Sequence, residues 1–235
     1  MKEYAAFDAM GLAELVRAGE VSSKELLDEA VSRAHAAQSE LNCFSSLYPD
    51  LAEAQLADLP TDGPFAGVPF ITKDLAVMID GAPLTNGSVS WKGHVSSQDS
   101  VLTERYRKAG LVMFGQTTSP EFGLTTTTES TLYGQTRNPW DVTRTSGGSS
   151  GGASAAVAAG VVPLAQASDG GGSRRWAPFR LKAGTVCLRF TPSAARCVTM
   201  RPCWTPHMAA RPAAAMWHQL RRAPSWRPCR ETLCR

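Results

Sequence analysis

Residues 146–173 read SGGSSGGASAAVAAGVVPLAQASDGGGS, and their order sets the fold class. A glycine–serine loop leads into an alanine-rich run (151–160), then a short apolar run (161–167), then a second glycine–serine loop. The small residues of 151–160 predict a helix that packs closely on a sheet, and VVPLAQA predicts a buried strand leading into Ser168 and Asp169. Glycines around Ser149 and before Ser173 open backbone conformations closed to other residues and let another chain or a substrate come close. One such serine is usually a turn. Two of them, bracketing a helix and a strand, predict parts of one site.

Towards the N-terminus the same grammar repeats. Residues 22–36 (SSKELLDEAVSRAHA) predict an amphipathic helix: Ser22 and Glu25 have capping-box spacing, and Leu26, Leu27, Ala30, Val31 and Ala34 make one apolar stripe. A shorter helix is predicted over 8–18. Val68 to Thr72 is a short buried strand candidate that ends at Lys73-Asp74. Asp99 or Ser100 would cap a helix through Lys108, with Gly110 stopping it, and LVMFGQT (111–117) is the next strand. The Thr-, Ser-, Asn- and Pro-rich residues 124–146 read as an extended connection. Alternating helices and short apolar strands imply an α/β fold with a largely buried sheet.

From residue 174 this pattern stops. Residues 1–173 carry 11 Lys+Arg against 20 Asp+Glu, whereas residues 174–235 carry 13 bases, 12 of them Arg, and one acid, Glu231. Five of the six cysteines, four of the six tryptophans and seven of the 15 prolines lie in this tail, where no hydrophobic period persists. An irregular tail over 174–235 is expected. The lone Cys43 before it fits a reducing compartment, and MKEYAAFDAM has no apolar signal core, so the expectation is a cytoplasmic protein. No run long enough to span a membrane is present, and no membrane partner is expected. The basic, Trp-rich tail has no motif spacing for nucleic acid, and Cys197 and Cys203 find no partners at zinc-site spacing, so neither nucleic acid nor a metal is expected.

A serine hydroxyl is a weak nucleophile and needs a positioned base. Of the four histidines, His35 lies on the predicted helix, His94 in a polar loop, and His207 and His218 in the tail; none has a catalytic setting. Gly147 to Gly151 also fits the G-x-S-x-G nucleophile elbow, but that chemistry requires an acid and then a histidine downstream, and only the tail histidines follow. Lysine can replace histidine where burial keeps it neutral. Lys73, at the end of an apolar strand among Phe70, Ile71, Leu75 and Val77, is the outstanding candidate, set against the plainer reading of a lysine reaching out to solvent.

Three segments together, GVPFITKDL around Lys73, GGSSGGASAAVAAG after Thr145 and ASDGGGS ending at Ser173, resemble the amidase signature family. TSPEFGLTTTTES (118–130) and YGQTRNPWDVTRTSGGSSGG (133–152) support the resemblance, which covers roughly residues 8–173. It implies an α/β/α sandwich with a mixed central sheet, of which residues 1–173 form an N-terminal portion. It implies a Ser-Ser-Lys triad: Ser173 as nucleophile, Ser149 with a cis peptide bond as bridge, and neutral Lys73 as base. The N–H groups of Gly170, Gly171, Gly172 and Ser173 would form the oxyanion hole, Asp169 would orient that loop, and Ser150 would be a supporting hydroxyl. No cofactor is implied. The expected partner is a small amide, with wording around Ser173 similar to hydrolases of cyclic nylon-oligomer dimers, and a homodimer is possible for a full-length member.

After its nucleophile the family continues with an Ile-Arg-x-Pro sequence, a Cys-Gly pair and a Gly-Leu-Lys-Pro segment. Here RRWAPFRLKAGTVCLRFTPSAARC follows instead, and only Arg175 matches. Excess Arg, Ala, Pro, Trp and Cys with almost no acid is what GC-rich codons yield out of frame. The expectation is a reading-frame shift just after Ser173, and little or no turnover from this chain.

Overall fold

Helix α1 (Ala9–Arg17) starts where the Asp8 carboxylate accepts the Gly11 N–H at 2.8 Å, and it buries Leu12 and Ala13. The computed structural model describes residues 4–169 together with 186–188, 190–191 and 194–195. Helix α2 (Ser23–Leu41) has the expected capping box, with Ser22 and Glu25 satisfying each other's backbone N–H groups. It runs five residues past the predicted end because Ala37 and Leu41 continue its apolar stripe, and Asn42, in the left-handed region at φ 50°, ends it.

A mixed five-stranded sheet forms the centre. Its order is β1 (Phe44–Leu47), β3 (Leu111–Thr117), β2 (Val68–Lys73), β8 (Leu164–Gln166) and β9 (Val186–Leu188), with β1 antiparallel to β3 and the other neighbours parallel. Every residue of β2 and β3 is buried, as expected for parallel strands covered on both sides. A register shift after Phe70 leaves Phe114 as an extra residue on β3, so side chains of β2 keep strict alternation. Phe70 therefore points to one face, where it meets the ring of Tyr106 from α4 (Val101–Lys108) at 4.8 Å, edge to face. Lys73 points to the other face, towards the start of α5 (Gly151–Ala158). Helices thus cover both faces of the sheet.

Strand β1 and helix α3 (Pro49–Gln55) were not expected from the sequence. Both are short; β1 is half-buried along most of its length, so neither shows a full apolar period. Strand β8 begins at Leu164 rather than at Val161, because Pro163 has no N–H to give a sheet ladder. The predicted extended connection resolves into two small hairpins, β4 (Glu129–Ser130) with β5 (Gly134–Gln135) and β6 (Arg137–Asn138) with β7 (Asp141–Thr145). Within the span expected to be irregular, β9 pairs with β8, and β10 (Phe190–Thr191) pairs with β11 (Ala194–Ala195).

Candidate active site

Lys73 closes β2 with 0% exposure, and its main chain is fixed from both sides. Its N–H donates to the side-chain oxygen of Gln166 on β8 at 2.7 Å, and the Asp74 N–H donates to the Thr117 carbonyl on β3 at 3.0 Å. The Asp74 side chain, also 0% exposed, accepts from the turn that follows: Thr85 N–H (2.7 Å), Thr85 hydroxyl (2.5 Å), Asn86 N–H (3.0 Å) and Gly87 N–H (3.4 Å). The Ser119 hydroxyl donates to its carbonyl at 2.8 Å. A buried carboxylate is tolerated only when donors surround it in this way. Burial, with the nearby Asp74 charge, pushes the Tyr133 phenol up against its hydrogen bond with Thr85.

The glycine loop crosses the end of this strand. The Thr128 hydroxyl donates to the Gly147 carbonyl (2.8 Å) and accepts the Gly151 N–H (2.9 Å), so it holds both sides of the Gly148–Ser149 peptide bond, which is cis. Close approach explains the glycines: a Cβ on Gly152 would come within 2.5 Å of the Thr118 hydroxyl and 2.7 Å of Thr118 backbone atoms, and Gly147 has φ 79°.

Lys73 Nζ sits among three hydroxyls, at 2.7 Å from Ser149 Oγ and 3.1 Å from both Ser150 Oγ and Ser168 Oγ. Ser150 occupies the N-cap position of α5 yet makes no capping bond. Its hydroxyl instead donates to the Ser168 carbonyl (3.0 Å) and accepts the Ser168 N–H (3.2 Å), tying the glycine loop to the end of β8. The cluster is a fully buried amine held against hydroxyls, an arrangement able to move a proton between nitrogen and oxygen.

Of the residues singled out from sequence, Lys73, Ser149 and Ser150 come together here. Asp169 is half-buried at the end of the segment that follows β8. Gly170, Gly171, Gly172 and Ser173 lie outside the described residues. His35 and His94 are exposed. Ser168 and Gln166 were not anticipated, although a lone Gln inside VVPLAQA and a hydroxyl beside Asp169 were available signals. Among the described residues no three His, Cys, Asp or Glu side chains cluster as metal ligands, and no helix is long and apolar enough to cross a membrane.

Comparison with known proteins gives one consistent picture. The family profile described as Amidase matches residues 25–176. The 6-aminohexanoate-cyclic-dimer hydrolase of Paenarthrobacter ureafaciens is 42% identical over 170 residues, which cover 72% of this chain and 34% of that protein. A glutamyl-tRNA(Gln) amidotransferase subunit of Deinococcus deserti is 43% identical over 175 residues, covering 72% of this chain and 35% of that protein. A solved structure of 6-aminohexanoate cyclic dimer hydrolase complexed with substrate superposes with a TM-score of 0.66 at 40% identity, covering 68% of this chain and 33% of that one. The chain spans about one third of the length of these relatives.

Proposed function

The chain belongs to the amidase family, and from that premise we propose that its site cleaves amide bonds through Lys73, Ser149 and Ser173. The observation that carries this reading is the buried Lys73 Nζ at 2.7 Å from Ser149 Oγ, next to the cis Gly148–Ser149 bond. In this reading the Ser173 Oγ attacks the amide carbonyl carbon. Its proton passes to Ser149 while the Ser149 proton passes to neutral Lys73, and a tetrahedral oxyanion forms, held by the N–H groups of Gly170, Gly171, Gly172 and Ser173. The C–N bond then breaks as the proton returns through Ser149 to the leaving amine. Water attacks the Ser173 ester, loses its proton along the same route, and releases the acid. Asp169 orients the oxyanion loop, and Ser150 supports the amine.

The substrates we propose are small linear or cyclic amides, supported by the similarity to a cyclic-dimer hydrolase. The similarity to an amidotransferase supports a second reading, release of ammonia from a carboxamide for transfer. Ammonia released from glutamine but not from an aryl amide would favour it. We place the protein in the cytoplasm, on the single cysteine before the tail. We also read residues 174–235 as translated out of frame, which is supported by a family match that ends at residue 176. This chain's own turnover is then expected to be weak.

The chemistry is tested without turnover. The full chain is treated with phenylmethylsulfonyl fluoride and digested, and the adduct is located by mass spectrometry. The expected result is one adduct on Ser173, forming at least about 100-fold more slowly in Lys73→Ala and Ser149→Ala. An adduct elsewhere, or equal rates in the variants, overturns the triad.

A further inference from the structure

Helix α5 starts beside the site without a cap of its own. The first N–H groups of a helix have no partner inside it, and the N-cap residue ordinarily supplies one from its side chain. Ser150 holds that position and is a good capping type, yet its hydroxyl is engaged by the Ser168 carbonyl, the Ser168 N–H and Lys73 Nζ. A cap drawn from Ser150 would turn that hydroxyl away from the amine. The Gly151 N–H, first in the helix, instead reaches the hydroxyl of Thr128 at 2.9 Å, from 23 residues further along the chain.

A threonine hydroxyl has one O–H to give as well as lone pairs that accept. Thr128 gives its O–H to the Gly147 carbonyl at 2.8 Å. One buried oxygen thereby joins the two ends of an arc, and Ser149 and Ser150 lie between them. The floor under the arc fits the same geometry. A Cβ on Gly148 would come within 2.7 Å of the Thr127 backbone, and one on Gly151 would run into the Thr128 hydroxyl. Thr128 is itself anchored: its carbonyl accepts the Thr136 N–H at 2.9 Å, and the Thr136 hydroxyl donates to the Asn42 carbonyl at 2.9 Å, at the end of α2. We infer that Thr128 is a positioning residue, which caps α5 in place of Ser150 and so leaves the Ser149 and Ser150 hydroxyls facing Lys73. This rests on the amide-hydrolase reading above, in which those hydroxyls serve the reaction. Valine at position 128 keeps the branched shape but leaves the Gly151 N–H and the Gly147 carbonyl without their partner.

The test uses the full chain labelled with 15N, with amide exchange read at Gly151 and sulfonylation read at Ser173. In the unaltered chain the Gly151 N–H should exchange at least about tenfold more slowly than an unbonded amide. In Thr128→Val, under conditions where urea unfolding shows it folded, that protection should be lost. Sulfonylation of Ser173 should slow about tenfold, the rate equivalent of one lost hydrogen bond. Thr128→Ser keeps the hydroxyl and should restore both. A Gly151 N–H that exchanges freely in the unaltered chain overturns the inference without any variant. So does a folded Thr128→Val labelled at the parent rate, or a folded Thr128→Ser that restores neither readout. Absence of any Ser173 adduct in the unaltered chain instead counts against the hydrolase reading. The Gly151 exchange then judges Thr128 alone: protection lost in Thr128→Val and regained in Thr128→Ser upholds the cap, and equal exchange in the two overturns it.

Discussion

Asp74, next to the buried Lys73, can itself stay buried because the turn that follows surrounds its carboxylate. Four donors converge on the Asp74 carboxylate. Asp74→Asn tests this arrangement, because whichever way the amide lies, its NH2 faces an N–H or O–H. The Thr85 hydroxyl can turn to accept and still take the Gly87 N–H at 3.3 Å, so what is lost is the charge that strengthens all four bonds. The expected cost is about 2–3 kcal/mol in urea unfolding, together with slower Ser173 labelling as Lys73 shifts. A variant as stable as the parent would mean that the turn is held by something other than the carboxylate. What was readable at this scale was local in sequence. Lys73 stood out as a cation at the end of an apolar strand, and Ser149 as a hydroxyl among glycines. Ser168 did not, because its place depends on Ser150, 18 residues away, reaching both of its backbone polar groups.

At the scale of elements, two junctions pin the helices to the sheet: the start of α5 against the end of β3, which carries the site, and the loop that leads into α4 on the opposite face. Gly152 makes the first possible, since any Cβ would run into the backbone of Thr118. Gly152→Ala should therefore push α5 off the sheet, lower stability by about 1–3 kcal/mol in chemical denaturation, and separate Ser149 from Lys73. At the second junction Asp99 accepts the Asp80 N–H at 2.8 Å and Arg107 at 2.6 Å, pinning the loop to α4. Burial by itself pushes the Asp99 pKa up, but the Arg107 bonds and the Asp80 N–H outweigh this and hold the carboxyl below its usual range. A lowered folded value means that the stabilisation is present above the unfolded value, about 3.9, and is lost as pH falls through the folded one. Asp99→Asn should thus cost about 1 kcal/mol near neutrality. The gap to the parent should close below about pH 4. A gap that stays constant down to about pH 3 would show that the charge is not what matters. Helices α2 and α4 had clear caps and strands β2 and β3 continuous apolar runs, which is why these four were legible. The edge strand β1 and the short α3 were not, since both owe their form to β3 beside them.

For the whole molecule the decisive boundary is the one just past Ser173. Up to that point charge, hydrophobic period and glycine placement agree with one another, and the family match covers residues 25–176. Beyond it the balance turns to 13 bases against one acid, and seven prolines fall where a family member would build further sheet and pocket. Consistency across these levels marks a sequence selected to fold, and its loss within a few residues is what the proposed change of reading frame predicts. Translating the coding DNA in the two other frames should restore an Ile-Arg-x-Pro sequence, a Cys-Gly pair and a Gly-Leu-Lys-Pro segment downstream of codon 173. Rejoining that frame should give a protein that hydrolyses a simple aryl amide, with activity abolished by Ser173→Ala. On the proposed frame change, the present chain should hydrolyse it weakly or not at all. If neither frame contains those segments, or if the present chain turns over as fast as the rejoined one, residues 174–235 are a genuine part of this protein.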